Sequence, residues 1–189
     1  MDLTVLTDEI DYWDNIFQSS TSEDVFYELS FFKIFVKFEQ FMIAAFIHYA
    51  TGGNSNTNYQ PQRKLEFSSL PHLEGVFIIE SKKYLIEKPE SIEQLAKHIF
   101  KDDDNPFETI FNDSRFNDNI GYMRTIRNHI AHGSDESLKK YNRQICNNSN
   151  YIEPHQYLLT KRRGNALTNY SLFIEILKVH TQIIYNYIK

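Results

Sequence analysis

A single cysteine, Cys146, stands among 189 residues. That excludes an intrachain disulfide framework and a cluster of thiolate metal ligands. Glycine and proline are scarce as well, at 6 and 5, too few for the turns of a loop-rich β-sandwich. No uninterrupted apolar run is long enough to cross a bilayer: the richest, 31–50, carries Lys33, Lys37, Glu39, Gln40 and His48. The amino end lacks the charged-then-apolar pattern of a secretory leader. Nor is positive charge in excess, the formal net charge being −5, which argues against a general coat for nucleic acid. These absences leave the expectation of a cytoplasmic, mostly helical protein without membrane contact, one domain over 1–189.

What the chain has in quantity is apolar and aromatic surface. Hydrophobic residues make up 41 % against 24 % charged, with 15 Phe and 12 Tyr, enough for a substantial core and incompatible with wholesale disorder. Charge is divided unevenly. Residues 1–123 carry 10 basic against 21 acidic side chains, whereas 124–163 carry 8 basic (Arg124, Arg127, Lys139, Lys140, Arg143, Lys161, Arg162, Arg163) against Asp135, Glu136 and Glu153. A basic segment on an acidic chain suggests a local polyanion site; a solvated basic face is the plainer alternative.

Hydrophobic spacing orders the elements. Leu3, Leu6, Ile10, Trp13 and Phe17 predict an amphipathic helix over 3–18. Ser20-Thr21-Ser22-Glu23 fits a capping box opening a second helix that runs to Thr51 and stops at Gly52-Gly53. At 1.5 Å per residue this helix spans about 40 Å. Its polar residues, Ser30, Lys33, Lys37, Gln40, His48 and Thr51, form one narrow stripe, so it must be covered on several sides by other helices or a second subunit. Glu39 lies off that stripe and calls for a partner at the bundle edge. Residues 52–71 read as a loop, 76–84 as an apolar segment of open type, 91–100 as a helix capped by Ser91 after Pro89, and 105–111 as a short helix. Asp102-Asp103-Asp104 lacks the spacing of a calcium loop and reads as a solvated turn. Residues 147–166 read as irregular or hairpin-like, and 168–188 as a final helix with Tyr170, Phe173, Leu177, Ile184 and Tyr187 on one side.

The chemically specific segment is Ile120–Tyr141. On a helix over 120–132, Arg124, Arg127, Asn128, Ala131 and His132 fall within a sector of about 140°. Tyr122, Met123, Ile126 and Ile130 lie opposite, with His129 at the border. Gly133 is a natural helix end, and Ser134-Asp135-Glu136 restarts a helix at a new angle. The polar face holds what phosphodiester chemistry needs without a metal. An imidazole exchanges a proton near neutral pH, and a guanidinium supplies a planar fork for phosphate oxygens. The asparagine beside the arginine orients either group. His132 falls near a helix C-terminus, where the dipole favours positive charge.

Arg127-Asn128-His129-Ile130-Ala131-His132 resembles the Arg-x4-6-His motif of HEPN-superfamily (higher eukaryotes and prokaryotes nucleotide-binding) ribonucleases. A polar residue after the arginine, a small residue before the histidine and the Gly-Ser-x-x-Ser-x-Lys continuation are similar too. The resemblance implies an all-α helical bundle of the HEPN type with a long central helix, irregular insertions and room for a small β-hairpin. It further implies a homodimer whose two motifs line one composite cleft. The implied activity is metal-independent RNA cleavage, without cofactor, by a toxin or antiviral-defence effector with an antitoxin or defence-system partner. Arg127 and His132 would be catalytic and Asn128 supporting.

Arg124 and His129 share the same spacing. His129 borders the apolar side, which favours a packed, hydrogen-bonded histidine there and leaves Arg124 to phosphate binding or the surface. His129 and His132 form an i, i+3 pair, but no third metal ligand is placed beside them except Asp135 and Glu136. Lys139, Lys140 and Arg143, with the Lys161-Arg162-Arg163 cluster, would bind the RNA backbone without reading sequence; a solvated face is the alternative. A non-catalytic RNA- or nucleotide-binding module and a regulatory dimerisation module also fit these residues.

Overall fold

The structure, a computed structural model, describes residues 2–19, 24–77, 89–162 and 166–189. The described residues form helices α1 (Thr4–Ser19), α2 (Phe26–Ala50), α3 (Leu70–Phe77), α4 (Pro89–Ile99), α5 (Glu108–Asn112), α6 (Ser114–His132), α7 (Asp135–Gln144), α8 (Pro154–Leu159) and α9 (Asn169–Tyr185). Among them there is no strand, and the fold class is the all-α helical bundle expected. No helix among the described residues is long and apolar enough to cross a membrane. The expected capping box at Ser20–Glu23 and most of the apolar segment 76–84 lie outside the described residues.

The chain divides into two compact units. One holds Met1–Leu3, Phe38–Asp113 and Val179–Lys189, the other Thr4–Lys37 and Ser114–Lys178. In the latter, α1 buries Leu6, Ile10 and Trp13 along one face, and the Trp13 indole donates to Glu9 Oε1 at 2.9 Å. Phe31, Ile34 and Phe35 of α2 are fully buried, and the Phe31 ring packs 5.9 Å from that of Phe173 on α9. Ser30 departs from its expected place on a solvated stripe. It is fully buried, its hydroxyl 3.1 Å from that of Tyr170, which satisfies a polar group that burial would otherwise penalise. Lys33 and Gln40 are exposed as expected, and Glu39 is half-buried.

In the former unit the remaining turns of α2 bury Phe38, Phe41, Met42, Phe46 and Tyr49, so apolar burial covers most of the helix's girth, as its composition requires. Tyr49 donates its hydroxyl to the Ile184 carbonyl at 2.6 Å. The helix stops where Gly52 takes φ +93°, a left-handed end that suits glycine. α4 already includes Pro89 and Ser91, so Ser91 lies inside the helix rather than capping it.

Asp102 and Asp103 are the solvated residues expected, paired with Lys64 and Lys189. Asp104 is not: it is fully buried. Its Oδ2 accepts from the Tyr59 hydroxyl at 2.7 Å and the Gln62 amide at 2.8 Å, and its Oδ1 from the Tyr187 hydroxyl at 3.0 Å. The bond to Asp104 pushes the Tyr59 phenol up to about 12. Asp104 therefore ties the loop after α2 to the residues after α9. Asp104→Ala leaves three donors without acceptors and is expected to destabilise the protein by about 3 kcal/mol, read as a lowered urea midpoint.

Residues 147–166 hold no hairpin among the described residues. Pro154 opens α8, and Gln156 Oε1 accepts from the Glu153 amide at 3.2 Å. One isolated antiparallel bridge, Lys161 to Thr168, follows.

Candidate functional site at the α6–α7 corner

The α6 helix is anchored by Phe116, Met123 and Ile126, all fully buried, at the seven- and three-residue spacing of one helical face. It ends at His132, where Gly133 takes φ +52° and donates its amide to the His129 carbonyl at 3.0 Å. Ser134 then caps α7, its Oγ accepting from the Ser137 amide at 3.3 Å. The chain folds back so that α7 runs against α6. Thr125 donates to Gln144 Oε1, and the His129 ring stacks on Tyr141 with centroids 4.4 Å apart.

Along the polar side, Arg124, Arg127 and Asn128 are half-buried, whereas Ala131 and His132 are exposed. Arg127 Nη1 donates to Asn128 Oδ1 at 2.7 Å, and its Cζ lies 5.9 Å from the centre of the Phe35 ring. The guanidinium is thus tied to an amide oxygen and lies near an aromatic ring. His132 has no hydrogen-bond, ion-pair or ring partner among the described residues. Arg127 and His132 mark the two edges of that polar sector: five residues apart on a helix, they are separated by about 140° around its axis and about 7.5 Å along it.

His129 is a packed histidine. Its Nε2 lies 3.1 Å from the Tyr151 hydroxyl, which donates to Glu153 Oε2 at 3.2 Å. The imidazole Nε2–H therefore donates to the Tyr151 hydroxyl, and its buried Nδ1 has no partner among the described residues. Protonating Nδ1 would bury a donor without an acceptor. Burial holds the pKa of His129 below the usual histidine range, against the opposing pull of Glu153 and Glu28. Because the native value is lowered, the unfolded chain takes up this proton first as the solution is acidified. Stability from His129 is thus complete above about pH 6.5 and lost as pH falls through the native value. His129→Phe, which retains a ring on Tyr141, is expected to flatten the dependence of the urea midpoint on pH in that window.

Lys139, Lys140 and Arg143 are exposed along α7, where backbone contacts to a polyanion need them. Arg162 is not such a contact. It is half-buried, donates through Nε to Asn169 Oδ1 at 2.7 Å, and lies over the rings of Tyr122 at 5.7 Å and Phe173 at 5.5 Å. Arg163 lies outside the described residues, and Lys161 is exposed. Tyr122, expected on the core side, is 38 % exposed; the guanidinium of Arg162 takes the place of apolar neighbours. With Asp118, Gly121, Arg143, Gln144 and Asn147 it lines a depression of about 370 Å³. Neither this depression nor the contact of Phe35 with Arg127 was legible from helical spacing, since both depend on residues far apart in the chain. Among the described residues no group of three or more His, Cys, Asp or Glu side chains is placed to hold a metal ion.

No protein-family model, curated protein or solved structure matches the chain.

Proposed function

We propose that the chain is a metal-independent endoribonuclease of the HEPN type. The observation that carries this reading is the environment of His132: exposed, without a partner among the described residues and at the end of α6, the helix that also carries an arginine held by Asn128 and Phe35. In the reaction, an imidazole takes the proton of an RNA 2′-hydroxyl, whose oxygen attacks the adjacent phosphorus. The bond to the 5′-oxygen breaks, and that oxygen receives a proton from an acid. The products are a 2′,3′-cyclic phosphate and a free 5′-hydroxyl. Arg127 would neutralise charge gathering on the non-bridging oxygens.

One chain brings one exposed histidine to this face. Two subunits related by a two-fold axis would bring two copies of His132 to a shared cleft, one as base and one as acid, and each would supply an Arg127 at a distance its own His132 does not reach. The 7.5 Å or so between the two residues on one helix is a reason to favour that composite arrangement. Lys139, Lys140 and Arg124 would hold the backbone, giving affinity that falls with salt, and Arg143 would touch the RNA beside them. The same resemblance carries a role as a cytoplasmic toxin or antiviral-defence effector, restrained by an antitoxin or a defence-system partner.

The half-burial of Arg127 and its internal bond to Asn128 favour a second reading, a module that binds RNA without cutting it. Incubation of the purified protein with total cellular RNA in excess EDTA separates the two. Cleavage that persists in EDTA supports the nuclease; binding with intact RNA supports the module.

A further inference from the structure

We propose that the depression between α6 and the end of α7 is a nucleobase subsite matched to guanine, an inference that rests on the RNA-cleaving reading for the identity of its ligand. Asp118 and Arg143 line this depression of about 370 Å³, a volume at the low end for small-ligand sites. They carry opposite charges and border the same space, yet neither has an ion-pair or hydrogen-bond partner among the described residues. Both remain available to a ligand that offers donors on one edge and acceptors on another. Guanine does so: N1–H and the exocyclic amine are adjacent donors suited to a carboxylate, and O6 and N7 are adjacent acceptors suited to a guanidinium fork. Uracil presents one N–H between two carbonyls that a carboxylate would repel, and adenine and cytosine each pair one amine with a ring acceptor.

The surrounding groups complete the match. Tyr122 offers a ring for stacking, 38 % exposed and steadied by Arg162 at 5.7 Å. Gln144 spends its oxygen on Thr125 and retains its amino group as a donor. Gly121 sits inside α6, where glycine is a poor helix former. A β-carbon there would meet no other atom within 4 Å, so packing does not demand glycine; its bareness leaves the floor open to a flat ring. Tyr122 precedes His132 by ten residues, about 15 Å along the helix. The recognised base would therefore lie a few nucleotides from the bond that is cut and would bias where RNA is cleaved.

The test uses the His132→Ala protein, so that RNA stays intact, and short labelled RNA carrying one guanosine, with the four 5′-mononucleotides as competitors. GMP is expected to compete about tenfold better than AMP, CMP or UMP, and replacing the guanosine by inosine, which lacks the exocyclic amine, to weaken binding. Adding Gly121→Leu is expected to raise the unfolding temperature by about 2–4 °C while weakening GMP competition about tenfold. Equal competition by all four nucleotides, or GMP competition unchanged by Gly121→Leu, overturns the subsite. RNA cleavage by the unsubstituted protein without guanine preference sinks the subsite and spares the nuclease. Guanine-selective binding without any cleavage does the reverse.

Discussion

Replacing His132 by alanine is expected to slow RNA cleavage by about 10²–10⁴-fold, the range lost with a general acid or base, and to leave the unfolding temperature unchanged. The two halves of this expectation are independent. The kinetic half follows from the role assigned to the imidazole. The thermal half follows from its surroundings, because the side chain is exposed and has no partner among the described residues, so its removal breaks nothing in the fold. Single-turnover cleavage of labelled RNA, beside a thermal melt of the same samples, reads both. Cleavage at the original rate by a well-folded variant excludes His132 from the chemistry. Loss of cleavage together with a large drop in melting temperature assigns it to the framework instead.

Arg127→Ala is expected to cost about 10²–10³-fold in the same assay, comparable to loss of an oxyanion-stabilising donor, but it should behave differently on melting. This guanidinium bonds to Asn128 and lies on Phe35, so truncation should also lower stability by about 1 kcal/mol. Arg127→Lys separates charge from geometry. Lysine retains the positive charge but cannot present a planar fork to two phosphate oxygens, so it should recover stability more fully than rate. Full recovery of rate by lysine would mean that Arg127 acts only as a point charge. Loss of RNA binding without an effect on the rate at saturation would place it in substrate binding alone.

Local signals made much of this architecture legible. The break between α6 and α7 follows from Gly133 beside Ser134, and the end of α2 from Gly52; each is a backbone requirement met by the residue itself. Periodicity placed Met123 and Ile126 in the core and His129 against its neighbours, but not Tyr122, which is exposed, or Ile130, which is half-buried. The failures share one cause. Ser30 reads as polar surface until Tyr170 is placed against it, Asp104 as a solvated turn until Tyr59 and Tyr187 converge on it, and Arg162 as an RNA contact until Tyr122, Phe173 and Asn169 surround it. In every case a partner distant in sequence satisfies the polar group, and helical spacing carries no trace of such a partner. Residues 147–166, read as irregular or hairpin-like, are irregular outside α8 among the described residues; α8 itself was missed because Pro154 and Gln156 form a helix start that the Asn-rich composition obscured.

The most direct measurement is the chemistry of the ends left on cleaved RNA, determined in excess EDTA for the unsubstituted protein and the His132→Ala variant. Attack by the 2′-hydroxyl under the control of Arg127 and His132 predicts 2′,3′-cyclic phosphates opposite free 5′-hydroxyls, with these ends missing from the variant's reaction. Ends bearing 3′-hydroxyls and 5′-phosphates, or cyclic phosphates made equally well without His132, would contradict it.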